Sequence, residues 1–337
     1  MISRRSFLKQ VGLAAGGTLL AGSGLSMLPG CSAGKKLEKL AIQAPASPPS
    51  IALAKLVHDN AFAGLADSSE FLLWKTADEM RARITSGQAH ISGLPVNVAA
   101  ALYNKGLGVQ LANVYIWGIL YLVSADENIQ SWEDLRGQEV LIPFQGDLPD
   151  LMTQLLLQYR GMALGKDITA RYVTAAPEAA NLLAAGQAKH AVLSEPSATL
   201  ALLKAKGAGI TLHRVIDYQA DWATMTGQPP RLPMAGVAVL PSLTKEYPQV
   251  ITRLQSAHAE AVAWVRDHPK EAATLGTQYI PEMPAQAMEA SLPHIVFEWV
   301  SAKDARKEIE FFFNELAKLS PAIYGGKLPG DDFYITG

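Results

Sequence analysis

Short apolar runs alternate with longer stretches of helical spacing along most of the chain, and this alternation limits the fold more than any other feature. FLLW (71–74), VQLANV (109–114), EVLIP (139–143), HAVLS (190–194) and GVAVL (236–240) read as buried strands. Between them lie SIALAKLVHDN (50–60), TADEMRARITSG (76–87), LPDLMTQLLLQYRG (148–161) and PEAANLLAAG (177–186), which read as helices. Strands alternating with helices predict an α/β fold with parallel sheets. The last third reads as almost wholly helical, from Pro248 to His268 and from Ala302 to Leu319, with apolar spacing suited to packing across lobes already formed. A chain of 337 residues can bury large cores and commonly divides into two lobes.

One internal echo sharpens this picture. ITSGQAHISGLPVNVAAALYNKGLGVQLANV (84–114) is similar to LLAAGQAKHAVLSEPSATLALLKAKGAGITLHRV (182–215). Gly87-Gln88-Ala89 answers Gly186-Gln187-Ala188, Pro95 answers Pro196, and Lys105-Gly106 answers Lys206-Gly207. Each copy reads as a helix end, a Gly turn, a strand, a Pro-started helix and a Lys-Gly cap, with Pro and Gly where helix termini favour them. Two unrelated βαβ units can look this alike. Otherwise each of two lobes holds an equivalent unit, and the segment after its first strand faces a shared cleft.

The chain has a single cysteine, Cys31, so no internal disulfide is possible. It follows a charged start (Arg4, Arg5, Lys9) and a Gly-rich apolar stretch from Val11 to Leu28 that is too short and too Gly-rich for a stable membrane span. Ser3-Arg4-Arg5-Ser6-Phe7-Leu8-Lys9 is similar to a twin-arginine export motif, and Leu28-Pro29-Gly30-Cys31 to a lipobox. The expectation is a signal peptide over 1–30, lipidation of Cys31, a short tether over 31–35 and a protein on the extracytoplasmic face of a bacterial membrane. The other reading is an amphipathic N-terminal helix with a buried thiol. Loss of residues 1–30 removes three positive charges and no acidic ones, so the remainder is more acidic than the whole chain's −2. No Lys/Arg run remains to suggest nucleic acid.

Three stretches carry a family resemblance. SWEDLRGQEVLIPFQGD (131–147), PEAANLLAAGQAKHAVLSEPSATLAL (177–202) and KEYPQVITRLQSAHAEAVAWVRDHPKEAATLG (245–276) resemble, in this order and spacing, segments of solute-binding proteins of ABC importers. With the Gln88–Gly106 segment, the resemblance points to the nitrate, sulfonate, taurine and thiamine-precursor branch, over nearly all of residues 38–320. It implies a type II periplasmic-binding fold: two α/β lobes, two crossover strands and a ligand cleft between the lobes. Lobe one is expected at 36–122 plus 217–320, lobe two at 123–216 and a C-terminal tail at 321–337. The crossovers are expected near Ile119–Ser124 and Leu212–Tyr218. The implied partners are a small-molecule ligand, an importer permease with its cytoplasmic ATPase, and the membrane through the lipid anchor. No cofactor is implied, and the chain is expected to be a monomer.

Ligands in such folds sit beyond the carboxyl ends of strands, which selects four loops. In APASPPS (44–50), Ser47 or Ser50 could donate hydrogen bonds, or Ser50 could simply cap its helix. SGLPV (92–96) brings Leu94, Pro95 and the amides that open the next helix. In QGDLPD (145–150), family members often carry Gly then Ser or Thr for an anionic ligand, whereas this chain has Gly146 then Asp147. A carboxylate there competes for the amides and repels an anion, so a neutral or cationic nitrogenous ligand fits better than a sulfonate-type one. Asp147 as a plain helix cap turned from the cleft is the other reading. In SEPSA (194–198), Glu195 matches the family's Glu-Pro and could accept from the ligand or bridge the lobes. Trp117, with Tyr115, is either an aromatic cleft wall or core. Arg231 and Met234 enter a strand from a Pro-rich loop, and Arg231 is either the cation for an anionic ligand or a surface arginine.

Catalysis finds little support. HExxH, CxxC, GxSxG, Walker and helix-opening GxGxxG motifs are absent. The histidines at 58, 90, 190, 213, 258, 268 and 294 lack metal-like spacing. A thiamine-pyrimidine synthase of the same fold remains an alternative, although its Cys-rich motif is missing, and so does a ligand-sensing receptor.

Overall fold

The computed structural model of the chain describes residues 35–336; the twin-arginine segment and Cys31 lie outside them. The described chain begins with β1 (Leu37–Pro45), α1 (Ile51–His58), β2 (Ala66–Trp74), α2 (Ala77–Thr85), β3 (Ile91–Pro95), α3 (Val96–Asn104) and β4 (Gln110–Ile116). It continues through β5 (Leu120–Ser124), β6 (Glu139–Pro143), α4 (Leu148–Tyr159), β7 (Thr169–Val173), α5 (Ala176–Ala184), β8 (His190–Ser194), α6 (Ser197–Gly207) and β9 (His213–Asp217). Then come α7 (Tyr218–Thr226), β10 (Ala235–Val239), α8 (Pro241–Glu246), α9 (Pro248–Asp267), α10 (Pro269–Tyr279) and α11 (Ala285–Ser291). The edge strand β11 (Phe297–Ser301) and α12 (Ala302–Ala317) close the series. No described helix is long and apolar enough to cross a membrane.

Two sheets result, with strand orders β11-β4-β10-β3-β1-β2 and β7-β6-β8-β5-β9. They are mixed rather than parallel, which corrects the sequence expectation: β10 runs antiparallel to β3 and β4, and β5 antiparallel to β8 and β9. The reason is directional. Both strands come from the other sheet and enter at the end where the neighbouring strand leaves, Ala235 opposite Pro95 and Leu120 opposite Ser194. A strand entering there has to run back along its neighbour. The internal echo has a structural counterpart, since β3-β10-β4 in one sheet matches β8-β5-β9 in the other, an incoming strand between the two strands of each repeat.

Because β5 and β9 belong to the second sheet, the passages between sheets fall at residues 117–119 and 227–234. The first meets the expected Ile119–Ser124 only at Ile119, the second comes after the expected Leu212–Tyr218, and Leu120–Leu122 lies in the second sheet rather than the first. The segment expected as a tail is likewise part of the body. Phe333 is fully buried, Tyr324 stacks on Phe313 at 4.7 Å, and the Ile335 amide donates to the Leu111 carbonyl at 3.0 Å. Asn97 and Asn104 on α3 hold this segment by its Ile323 and Tyr324 carbonyls.

The second sheet is buried on both faces. Leu122, Val140, Ile142 and Val192 face the larger core, shared with α4; Val123, Leu141, Ala191 and Leu193 face a smaller core under α5 and α6. Period-two alternation between two apolar environments explains why EVLIP and HAVLS are continuously apolar. α12 carries Phe311 and Phe312 onto Trp222 of α7, with centroids 5.7 and 5.8 Å apart, and also packs on α4. It therefore braces the side of the molecule where the chain returns from the second sheet.

Candidate functional site

The carboxyl ends of the strands converge on a cavity of about 260 Å³. The first sheet contributes Pro45, Leu94, Pro95, Tyr115 and Ile116, and the second contributes Leu120, Ser194 and the Phe144–Pro149 turn. Ile119, in the first passage, lies on the wall between them. The surface is mostly carbon, and among the described residues no lysine, arginine or histidine lines it.

Five expected site residues meet there: Ser47, Leu94, Pro95, Asp147 and Met234. Ser50 does not, because its hydroxyl donates inward to the Pro45 carbonyl at 2.7 Å and forms no cap bond. Asp147 is a helix cap whose side chain is not turned from the cleft. It caps α4, accepting from the Leu148 amide at 2.7 Å, and its exposed side chain lines the cavity. Met234 joins the ends of β3 and β4 within the first sheet, its amide donating to the Ile116 carbonyl and its carbonyl accepting from the Val96 amide.

Trp117, Gly146, Glu195 and Arg231 are not in the lining, and each has a physical reason. Trp117 is fully buried and donates Nε1–H to the Glu298 carbonyl at 2.8 Å. The Arg231 guanidinium lies over the Trp117 ring at 4.3 Å and is held by the Glu298 and Glu308 carboxylates, which raise its pKa further. Arg231 is thus neither a ligand cation nor a free surface arginine. Glu195 is 3% exposed and paired with Arg214, while its other oxygen accepts from the Thr199 amide. It ties α6 to β9 on the second-sheet side and, among the described residues, makes no bond to the first sheet. Gly146, at φ +78°, serves the turn, and its amide donates to Asp150 Oδ2 at 2.8 Å.

The lining also contains residues that sequence reasoning passed over, chiefly Trp74, Gly93 and Phe144. Trp74 ends the strand that FLLW predicted, so its place at a carboxyl end was a usable signal. Its indole Nε1–H is buried without a hydrogen-bond partner. A Cβ on Gly93 would meet Leu53 Cδ1 at 2.7 Å and Ala44 Cβ at 3.3 Å, so any side chain there has to displace the Leu53 end where α1 approaches β3. Phe144 is 42% exposed at φ +59°, a conformation costly for an aromatic residue. Beneath the cavity Tyr115 packs edge-on against His258, with centroids 4.8 Å apart. Burial raises the Tyr115 pKa and lowers that of His258 to about 3.

A cavity between two sheets, with the chain passing twice between them, defines a two-lobed α/β fold with a cleft between the lobes. Similar solved structures share this fold. An ABC transporter structure from Parabacteroides distasonis aligns with TM-score 0.73 and 22% identity over 89% of this chain and 99% of that one. The periplasmic aliphatic sulphonate binding protein of Escherichia coli gives 0.64 and 16% over 89% and 94%. The periplasmic nitrate-binding protein of Synechocystis PCC 6803 gives 0.58 and 14% over 86% and 83%. No curated protein matches the chain in sequence. The sequence model of the NMT1-like family matches residues 75–279, and the chain belongs to that family.

Proposed function

We propose that the chain is an extracytoplasmic receptor that binds a small solute and hands it to the permease of an ABC importer. Lipid on Cys31, added after twin-arginine export, holds it at the membrane surface. The observation that carries this reading is the cavity itself: both sheets line it, and the chain links them at 117–119 and 227–234. Rotation about such passages opens or closes the cavity. The names of the similar structures, an ABC transporter and binding proteins for sulphonate and nitrate, support delivery to an importer. The lining supports holding rather than reacting, since its Ser47 and Ser194 hydroxyls have no imidazole beside them in the wall.

Anchoring is tested by fractionation. Cys31→Ser yields protein that partitions into the aqueous phase of a detergent extraction, and Arg4→Lys with Arg5→Lys blocks export. A Cys31→Ser protein that still fractionates with membranes contradicts the anchor.

A further inference from the structure

We propose that the cavity discriminates against anions and holds an amine-bearing ligand with an apolar body, its ammonium at Asp147. This rests on the receptor reading and names the chemistry of that same site.

The case begins with donors. An anion bound beyond strand ends needs free amides at helix N-termini or a cationic side chain. Before α1, Pro48 and Pro49 have no N–H, the Ser50 amide donates to the Ser47 carbonyl at 2.9 Å, and the Ile51 amide donates to the Pro48 and Pro49 carbonyls. At the head of α3, Pro95 has no N–H and the Val96 amide is spent on Met234 at 3.2 Å. At the head of α4 the Gly146 amide goes to Asp150, the Asp147 amide to Phe144, and the Leu148 amide to the Asp147 carboxylate; Pro149 has none to give. At residues 48–51, 95–96 and 146–149 the amides that could cradle an oxyanion are missing or engaged, which leaves the Asn97 and Val98 amides of α3 and the Asp150 amide of α4 without a partner, and no cation lines the wall among the described residues. An anion would also face Asp147 across carbon-rich walls that screen poorly.

The same wall suits a cation. Asp147 has no ion-pair partner among the described residues, and only one of its oxygens is used in capping. Trp74, Tyr115 and Phe144 line the cavity with it, and aromatic faces attract an ammonium in addition to packing an apolar body. Phe144 keeps its strained backbone and exposed ring at this wall. The unpartnered Trp74 Nε1–H adds one donor for a neutral acceptor on the ligand, an oxygen or ring nitrogen.

The test is titration calorimetry of the full chain with charge-matched probes: 2-phenylethylamine, 2-phenylethanol, 3-phenylpropanoate and 2-phenylethanesulfonate, with the hexyl compounds as a second body. The amine is expected to bind about tenfold or more tightly than the alcohol, with no heat from either anion. Asp147→Asn, which keeps a good cap, erases that preference and leaves the alcohol's affinity unchanged. Tighter binding of an anion, absence of amine binding, or an amine affinity indifferent to Asp147→Asn overturns the proposal. A cavity-filling Val98→Trp variant separates this from the underlying reading. An anion that binds wild type and not Val98→Trp refutes only the charge class, whereas probes that bind both alike refute the receptor site itself.

Discussion

His258 sits on α9 with both ring nitrogens buried and unpartnered, and its environment holds it neutral. The unfolded chain takes up that proton near the ordinary histidine pKa of 6.5, whereas the folded chain resists until about 3. Protons therefore bind the unfolded state first, and stability falls as pH drops through this window, by up to about 1.4 kcal/mol per pH unit. His258→Leu flattens this dependence between pH 6.5 and 4.5 in urea denaturation; an unchanged slope contradicts the assignment. At this scale the sequence was legible where chemistry is local. Asp147 before Leu148-Pro149 announced a helix cap, and the structure shows that cap. Trp117, Glu195 and Arg231 were illegible because their partners are remote in sequence. Arg231 is claimed by Glu298 and Glu308, and Glu195 by Arg214, before any ligand can use them.

Among elements, the segment after α12 has the least regular structure and a clear load. Tyr324 stacks on Phe313, Phe333 packs near Tyr103, and Ile335 extends the register beside β4. Removing residues 321–337 uncovers these faces and frees α3, whose Asn97 and Val98 line the cavity. Burial of two aromatic side chains is worth about 3 kcal/mol or more, so the truncated chain unfolds at lower urea and binds solutes more weakly. Unchanged stability contradicts this role. The segment escaped sequence reading because it holds by capping carbonyls and a few aromatic contacts, without periodicity. Helices α1, α2, α4, α5, α9 and α12 were legible within a few residues because Pro, Gly and polar caps bound their apolar spacing. Strands β5 and β9 were seen only as crossovers: membership of a sheet depends on pairing, and β5 pairs with β8 across 66 residues at Ser124 and His190.

For the whole molecule, two sheets and the passages between them reduce function to one question, whether the cavity at their shared edge takes up a solute. The α/β class, the paired repeats and the cleft-facing loops were readable from alternation and from the family resemblance. The antiparallel return of β5 and β10 was not, since direction follows from which end a strand enters. The most direct measurement is a thermal-shift screen of wild type and Val98→Trp against amines, alcohols, carboxylates, sulfonates and nitrate. A solute at a hundred times its dissociation constant stabilises the folded state by about 2.7 kcal/mol. The account predicts that amines with apolar bodies raise the wild-type melting temperature and leave Val98→Trp unmoved. Stabilisation of both proteins alike, or of neither by any solute, would contradict it.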